Sequence, residues 1–210
     1  MNDTNRQARR QQIIDAAVRT TTRGGLQAAT FRTIAEEAGV SVRLVQYYFG
    51  TKDQLLADTL LNVGTKAAKR ISRALDDLGP EPAPREKIEA IFEQFLPLDD
   101  ERREAMLAFI ALRTASLTDD SLRSSNETGL DTSLIQTIEG ELEQAVTDGH
   151  ARPGLHPKSE SIMLVATMTG ITNGLLAGTF TQEEARTSLH YAINLSIPTS
   201  KQRRTTDPER

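Results

Sequence analysis

One stretch constrains the fold more than any other part of the sequence: two short helical segments joined by a tight turn. Apolar residues recur at helical spacing over residues 30–38 and again over residues 41–49. Thr30 and Ser41 stand where a side-chain oxygen caps a helix N-terminus, and Gly39 can adopt the left-handed backbone that ends a helix. The pattern predicts a helix-turn-helix, a motif in which both helices share a small core.

The side chains of this motif divide into an inner set and an outer set. The inner set, which we expect to fill the shared core, comprises Phe31, Ile34, Leu44, Val45 and Phe49. Arg43, Gln46 and Tyr47 then point outward. Arginine and glutamine carry the donors and acceptors that read base edges in the major groove, and tyrosine hydroxyls and helix N-termini suit phosphates. The outer set is therefore typical of a nucleic-acid-binding helix.

The rest of the chain has helix-period apolar positions and no alternating strand pattern, so we predict an all-α fold. A first helix over residues 6–23 should stop at Gly24-Gly25. Thr51 and Gln54 form a capping box for a fourth helix that runs to about residue 75. After a proline-rich linker at 78–86, further helices are expected at 85–96, 101–117, 127–149, 158–178 and 181–196.

Charge is distributed unevenly along the chain. Residues 1–52 contain eight lysines and arginines against four acidic residues, although the whole chain has a formal net charge of −4. A basic segment on an acidic body indicates a polyanionic partner for that segment alone, and random scatter of surface charge is the alternative. Lys52 stands in the first turn of a helix, where the macrodipole opposes a cation. A bound phosphate would offset that conflict, whereas the alternative is an ordinary solvated lysine.

These residues bear a family resemblance. The segment 30–56, TFRTIAEEAGVSVRLVQYYFGTKDQLL, resembles the DNA-binding signature of the TetR family of one-component transcriptional repressors. The shared pattern is Thr-x-x-x-Ile-Ala-x-x-Ala-Gly-Val-Ser, then an aromatic-rich helix that ends in Tyr-Phe, then Lys and a Leu-Leu pair. The resemblance implies a three-helix DNA-binding domain at 1–52 and a helical-bundle domain for ligand binding and dimerisation at 53–198. The polar, basic composition of residues 199–210 predicts a disordered tail.

The resemblance also implies roles for individual residues. Thr30 and Arg32 start the helix that touches phosphate, and Val42, Arg43 and Gln46 face the groove. Many members have tyrosine at the place of Gln46, where it contacts phosphate, so glutamine here could read a base instead. The complete DNA-contacting set is Thr30, Arg32, Ser41, Val42, Arg43, Gln46, Tyr47, Tyr48 and Lys52.

The segment 161–180 has twenty residues without a charge, long enough to cross a bilayer. Its four threonines and Asn173 argue against a membrane helix. Small residues recur every fourth position, at Ala166, Gly170, Gly174 and Gly178. Such a stripe lets another backbone approach closely, and the resemblance implies that the last two helices pair with those of a second copy. We therefore predict a homodimer interface here and no membrane insertion.

The linking helices offer candidates for an effector pocket, namely Phe92, Phe95, Met106, Phe109, Ile110 and Arg113, with Thr167, Met168 and Ile171 opposite. Phenylalanine and methionine at helical spacing are more often plain core. Arg113 stands out because it is a cation on a mostly apolar helix. It could pair with an anionic ligand or a buried acid, or extend its charge to solvent.

Nothing in the sequence assembles a catalytic site. There is no cysteine and there are three histidines; no phosphate-binding glycine loop or nucleophile elbow is found. We predict no enzyme activity, no cofactor and no metal. The chain opens without an apolar signal segment and lacks cysteine, so we expect it in the cytoplasm.

The hypothesis from sequence is a dimeric repressor that binds a palindromic operator and is released by an unknown small molecule. Two alternatives stay open: a constitutive DNA-binding protein without effector, and a helical protein-interaction module with vestigial DNA binding.

Overall fold

A computed structural model of the chain describes residues 3–117 and 130–199. Within these ranges all regular secondary structure is helical, which confirms the predicted all-α fold. The helices are α1 (Asp3–Ala28), α2 (Phe31–Ala38), α3 (Val42–Phe49), α4 (Lys52–Asp76), α5 (Pro84–Glu93), α6 (Asp100–Ser116), α7 (Leu130–Thr147), α8 (Pro157–Leu176) and α9 (Gln182–Ser196).

Helix α1 is interrupted where the sequence has two glycines. Gly25 has φ 67° and ψ −175°, in the region of positive φ that glycine adopts without steric cost. A Cβ atom on Gly24 would collide with the Cβ atom of Ala28. The sequence predicts a stop at this pair, and the structure shows a break followed by one more turn to Ala28. Both glycines are therefore required by the local backbone.

The helix-turn-helix is capped as the sequence predicts. The Thr30 hydroxyl accepts a hydrogen bond from the Thr33 amide at 3.2 Å, and the Ser41 hydroxyl accepts one from the Leu44 amide at 3.2 Å. Gly39 ends α2 in the left-handed conformation with φ 63°. These caps satisfy backbone amides that a short helix would otherwise leave unpaired. The caps thereby determine where α2 ends and α3 begins.

One compact unit lies within residues 1–68 and 99–129. Its core includes Ile13, Ile14, Ile34, Val45, Phe49, Leu55, Leu56, Leu60 and Leu112. Helix α6 belongs to this unit because Leu112 is buried in that core and Phe109 packs against it. The Thr22 hydroxyl of α1 also donates a hydrogen bond to the Glu104 carbonyl at 3.1 Å. Helix α6 thus packs directly on α1, the helix that precedes the helix-turn-helix.

Two arginines of α1 hold α2 through one carboxylate. Arg19 Nε lies 2.5 Å from Glu37 Oε1, and Arg23 Nη1 lies 2.8 Å from Glu37 Oε2. The hydrogen bond from Arg19 outweighs a smaller opposing effect of burial and, with the charge of Arg23, holds the pKa of the Glu37 carboxyl below its ordinary value of 4.5. The charged form of Glu37 is therefore stabilised by folding.

We expect Glu37→Gln to make the protein less stable at neutral pH, because the folded-state pKa of Glu37 lies below the unfolded value. The stabilisation is fully present above about pH 4.5 and is lost as the pH falls through the lowered folded-state pKa. Denaturant unfolding of wild type and variant at about pH 7 and about pH 3 should therefore show a larger difference at the higher pH than at the lower. Glu36→Gln is the control, because Glu36 pairs with Arg32 on the exposed surface. A stability difference that is equal at both pH values would contradict this account.

The second compact unit lies within residues 69–98 and 130–210. Its core draws on four helices and includes Ile88, Ile91, Phe92, Leu96, Ile138, Leu142, Leu164, Met168, Leu189 and Ile193. Arg85 of α5 donates from Nη1 to the Asn194 side chain at 2.7 Å and to the Ile197 carbonyl at 2.8 Å. The buried Glu160 carboxylate accepts from Ser196 at 2.6 Å and from Arg152 at 2.7 Å. Charged groups of this unit are thus paired across its helices.

The stripe of small residues on α8 is shorter than the sequence predicts. Gly178 lies beyond the end of α8, in a turn with φ 73°. A Cβ atom on Gly174 would collide with the ring of Phe180, which folds back over that position. Ala166 and Gly170 remain exposed on the helix. Two positions of the stripe therefore face solvent in the single chain, and Gly174 makes room for an aromatic ring of its own chain.

We expect Gly174→Ala and Gly140→Ala to change stability in opposite directions. Both glycines lie inside helices, where alanine is favoured by roughly 0.5–1 kcal/mol. Gly140 has open space around it, so this variant should raise the free energy of unfolding by about that amount. At Gly174 the added methyl must displace the Phe180 ring, and overpacking of this kind costs typically 1–3 kcal/mol.

Denaturant unfolding at one protein concentration compares these two glycine variants with wild type. Equal stabilisation by both would mean that the Phe180 ring moves away from Gly174 without cost.

The compact units divide the chain at other points than the predicted domain boundary between residues 52 and 53, which stays a prediction. Helix α4 contributes residues up to Ala68 to the first unit and the remainder to the second. Of the predicted basic tail at 199–210, all but Thr199 lies outside the described residues, and so does the start of the helix predicted at 127–149.

Candidate nucleic-acid interface

The outward face of α3 presents four side chains to solvent. Val45 and Phe49 are buried in the core, and this fixes the rotation of the helix about its axis. Val42, Arg43, Gln46 and Tyr47 are exposed as a result, and Tyr47 is 66% exposed. A face with a guanidinium, a carboxamide, a phenol and a small apolar group can contact both base edges and phosphates. This is the orientation that the sequence predicts for Arg43, Gln46 and Tyr47.

The two adjacent tyrosines have different environments. Their rings meet edge to face with centroids 5.4 Å apart, but Tyr47 points to solvent and Tyr48 is half-buried. The Tyr48 hydroxyl is enclosed and makes no hydrogen bond to any residue that the structure describes. A phosphate contact is therefore immediate for Tyr47 and requires a change of side-chain position for Tyr48.

Tyr48 lines a cleft of about 350 Å³ between the start of α1 and the start of α3. The cleft is also lined by Ser41, Leu44, Arg9 and Asn5. Sequence reasoning assigns Ser41 to this surface but misses Arg9 and Asn5, which come from the distant start of the chain. The sequence signal for this part of the surface is the adjacent pair Arg9-Arg10, which adds to the positive charge of residues 1–52.

The remaining predicted contacts lie at the starts of α2 and α4. Thr30 uses its hydroxyl in the cap, and Arg32 is exposed with an ion pair to Glu36 at 3.1 Å. Thr51 accepts a hydrogen bond from the Gln54 amide at 3.1 Å, which confirms half of the predicted capping box. The Gln54 side chain instead donates to Asp58 at 3.1 Å. Lys52 stands at the first position of α4 and has no ion pair with another described residue.

The predicted effector residues are spread over both compact units. Phe109 packs in the first unit, and Met106, Ile110 and Arg113 lie half-buried on the same helix. Phe92, Met168 and Ile171 are buried in the core of the second unit, Phe95 packs against that core, and Thr167 is exposed on α8. None of these residues lines the cavity of about 230 Å³ that the second unit contains between α5 and α9. That cavity is bordered by Glu89, Glu93, Arg186 and His190, which pair across it at 3.0 and 3.1 Å.

An apolar surface is exposed on the last two helices. Ile162 and Met163 of α8 are 47% and 64% exposed, and Tyr191 and Leu195 of α9 are 64% and 53% exposed. Exposed large apolar side chains typically mark a protein–protein interface where they form a contiguous patch. Helices α8 and α9 are also where the sequence places the dimer contact.

The part of the chain that the structure describes has neither a membrane-spanning helix nor a cluster of metal-binding side chains. No helix in residues 3–117 or 130–199 is both long and apolar enough to span a bilayer, the stretch 161–180 included. The same ranges contain no group of three or more histidine, cysteine or acidic side chains arranged to bind a metal ion.

Comparison with known proteins identifies the family to which the chain belongs. Residues 13–59 match the bacterial regulatory proteins of the tetR family, and residues 84–197 match the C-terminal part of BetI-type transcriptional repressors. The chain belongs to the TetR family. Members of this family are transcriptional regulators, and the resemblance predicted from residues 30–56 is thereby confirmed.

Individual TetR-family relatives match over part of the chain. The regulator BetI of Brucella anthropi is 40% identical over 83 residues, which are 40% of this chain and 41% of that protein. The chain spans about half the length of the curated relatives that it matches.

Solved structures extend the likeness in fold to nearly the whole chain. A putative TetR-family regulator from Rhodococcus sp. has a TM-score of 0.76 at 23% identity, over 90% of this chain and 98% of that one. A regulator from Saccharomonospora viridis, solved with choline, has a TM-score of 0.73 at 22% identity, over 88% and 93%. At this level of identity the two structures show the TetR fold alone.

Proposed function

We propose that the protein is a sequence-specific DNA-binding repressor that acts as a homodimer and is released from its operator by a small molecule. The observation that carries the proposal is the exposed face of α3, with Arg43, Gln46 and Tyr47 directed away from the core. The proposal assigns DNA binding to residues 1–52, and effector binding and dimerisation to residues 53–198. It contains no catalytic step, and its site of action is the bacterial cytoplasm, where the DNA is.

The proposed contacts follow from the chemistry of each side chain. Arg43 can donate two hydrogen bonds to a guanine edge, Gln46 can bond an adenine edge, and Val42 can contact a thymine methyl group. Tyr47 and Lys52 reach phosphates on either side of the groove. Thr30, Arg32, Ser41 and Tyr48 complete the backbone contacts at the edges of the interface. Phosphate contacts fix the register, so that the three groove-facing residues meet the same base pairs each time.

Dimerisation provides a second recognition helix for the second half-site of the operator. In a two-fold symmetric dimer, two recognition helices one helical turn apart, about 34–36 Å, match successive major grooves on one face of B-DNA. The exposed apolar face of α8 and α9 supports a contact between copies through these helices, with Ala166 and Gly170 allowing close approach. The operator would then be palindromic, because each half-site meets the same protein surface.

Release requires an effector that binds the non-DNA conformation more tightly than the DNA-binding one. The proposed route runs through the predicted effector set and through α4, which joins both compact units along the chain. Helix α6 supports this route, because Phe109 and Leu112 place a helix of the predicted effector set directly on α1. The choline-bound regulator from Saccharomonospora viridis shows that one protein of this fold accommodates a small organic molecule.

Selection of bound sequences from a random duplex pool, at near-physiological salt, tests the proposal. The expected result is an enriched palindrome with half-sites about one helical turn apart. Binding without enrichment that disappears as salt rises would leave only a non-specific basic patch and would overturn the proposal. Once the operator is known, titration with small molecules tests release. An affinity that no small molecule alters would indicate a constitutive binder.

A further inference from the structure

A ladder of polar contacts joins α1 to α4 on the outside of the first compact unit. Its three rungs are Arg10–Asp58, Gln11–Asn62 and Asp15–Lys66. On α4 the rungs are four residues apart, which is about one helical turn. Each rung therefore uses the same face of α4, and the ladder extends over about two turns of that helix.

Two of the rungs, Gln11–Asn62 and Asp15–Lys66, are connected to each other by hydrogen bonds. The Gln11 and Asn62 carboxamides exchange two hydrogen bonds, at 3.0 and 3.2 Å. Asp15 accepts from the Lys66 ammonium at 2.9 Å and from Gln11 at 2.9 Å, which links the two rungs. A reciprocal amide pair has one register, because a shift of α4 by a single residue would break both of its bonds.

The remaining rung, Arg10–Asp58, lies next to the candidate DNA surface. Arg10 Nη2 lies 2.5 Å from Asp58 Oδ2, and the Arg10 guanidinium also lies over the Phe49 ring, 5.2 Å from its centroid. Phe49 is the last residue of α3. The other oxygen of Asp58 accepts a hydrogen bond from the side chain of Gln54. The backbone N–H of Gln54 donates to the hydroxyl of the cap residue Thr51. The Arg10 guanidinium of α1 thus contacts both the last residue of α3 and the second turn of α4.

We infer that Arg10 and Asp58 are positioning residues for DNA recognition, which hold the end of α3 and the start of α4 in the geometry that the operator requires. The inference rests on the DNA-binding function proposed above and adds residues that do not themselves touch DNA. Asp58 is 16% exposed and already occupied by two donors. Its role is to fix where Lys52 and the outward face of α3 stand relative to each other.

The sign of one substitution separates this role from simple electrostatics. Asp58→Asn removes a negative charge near the DNA surface, so charge alone would strengthen binding to any duplex. A positioning role requires the opposite for the operator, because the amide leaves the Arg10 guanidinium without its anionic partner. We expect operator affinity to fall about tenfold, as for a lost hydrogen bond to a charged group. Binding to an unrelated duplex should stay equal or rise slightly.

Asp53→Asn is the matched control, because it makes the same change of charge on the same helix five residues earlier. Arg10→Lys gives a second comparison without any change in net charge; it loses the planar fork that spans carboxylate and ring. Its own control is Arg73→Lys, because Arg73 is exposed in the last turn of α4 and belongs to the second compact unit. We expect Asp58→Asn and Arg10→Lys to lower the ratio of operator to non-specific affinity, with an unchanged salt slope, and both controls to keep wild-type values.

Hydrogen exchange of the DNA-free protein provides a readout independent of DNA. Backbone amides of α3 and of residues 52–58 should exchange faster in Asp58→Asn than in Asp53→Asn. Operator selection by wild type combined with equal behaviour of these two variants in both measurements would overturn the inference alone. A wild-type protein that selects no duplex would overturn the proposed function and this inference with it. Arg10→Gln removes the charge, so a salt slope lowered by about one for each half-site in that variant would make Arg10 a phosphate contact and reject the positioning role.

Discussion

Leu195→Asp should lower operator affinity by about a hundredfold or more. In the proposed dimer, binding of one subunit to DNA holds the other subunit close to its own half-site. This linkage raises overall affinity by about 10²–10⁴. Leu195 is 53% exposed on the apolar face of α9. Because a two-fold interface contains each residue twice, the substitution places two carboxylates in the proposed apolar interface. Sedimentation should show a monomer at concentrations where wild type is a dimer, and titration of the operator should show the loss.

Val146→Asp is the matched control for this experiment. Val146 is an exposed aliphatic residue, 45% accessible, and it stands one residue before the end of α7 as Leu195 stands one residue before the end of α9. The effect of a new carboxylate on the helix macrodipole is therefore the same in both variants. Wild-type behaviour of Val146→Asp with monomeric Leu195→Asp would support the interface on α8 and α9. A dimeric Leu195→Asp with unchanged affinity would place the contact between copies elsewhere.

The parts of this structure that sequence predicts well are those decided by short-range chemistry. Thr30, Ser41 and Gly39 act within three or four residues of themselves, so the caps and the turn follow from local sequence. The outward direction of Arg43 follows from the helical period once Val45 is placed in the core. A cap or a helix face needs no knowledge of what lies elsewhere in the chain.

The parts that sequence does not predict depend on which distant segments meet. The Phe180 ring occupies the space at Gly174 because the chain turns back after α8, and spacing alone cannot distinguish such a glycine from one that faces a partner. The sequence predicts that Phe109 lines a pocket. In the structure Phe109 packs against the core of the first unit, because α6 packs along α1. Tyr47 and Tyr48 are adjacent in sequence, but only tertiary packing encloses the hydroxyl of the second.

Arg43→Ala should relax the choice of one base pair in each half-site and lower operator affinity by roughly 1–3 kcal/mol per half-site, about fivefold to 150-fold for each. The guanidinium is the one group on the outward face of α3 that can donate two parallel hydrogen bonds to a guanine edge. Repeating the selection with the variant should show the preference lost at that position and retained at the others. Arg43→Lys keeps the charge but not the fork, so it should show the same relaxed preference with an unchanged salt slope.

Lys52→Ala provides the contrast that gives the Arg43 result its meaning. Lys52 stands at the first position of α4, where a phosphate would offset the unfavourable interaction of a cation with the helix dipole. Its loss should weaken binding to all duplexes by a similar factor and lower the salt slope by about one for each half-site. If Arg43→Ala instead gives this uniform loss, Arg43 is a phosphate contact and base reading falls to Gln46. Base contacts and phosphate contacts on adjacent helices are thereby separated by two titrations against salt, on the operator and on a scrambled duplex.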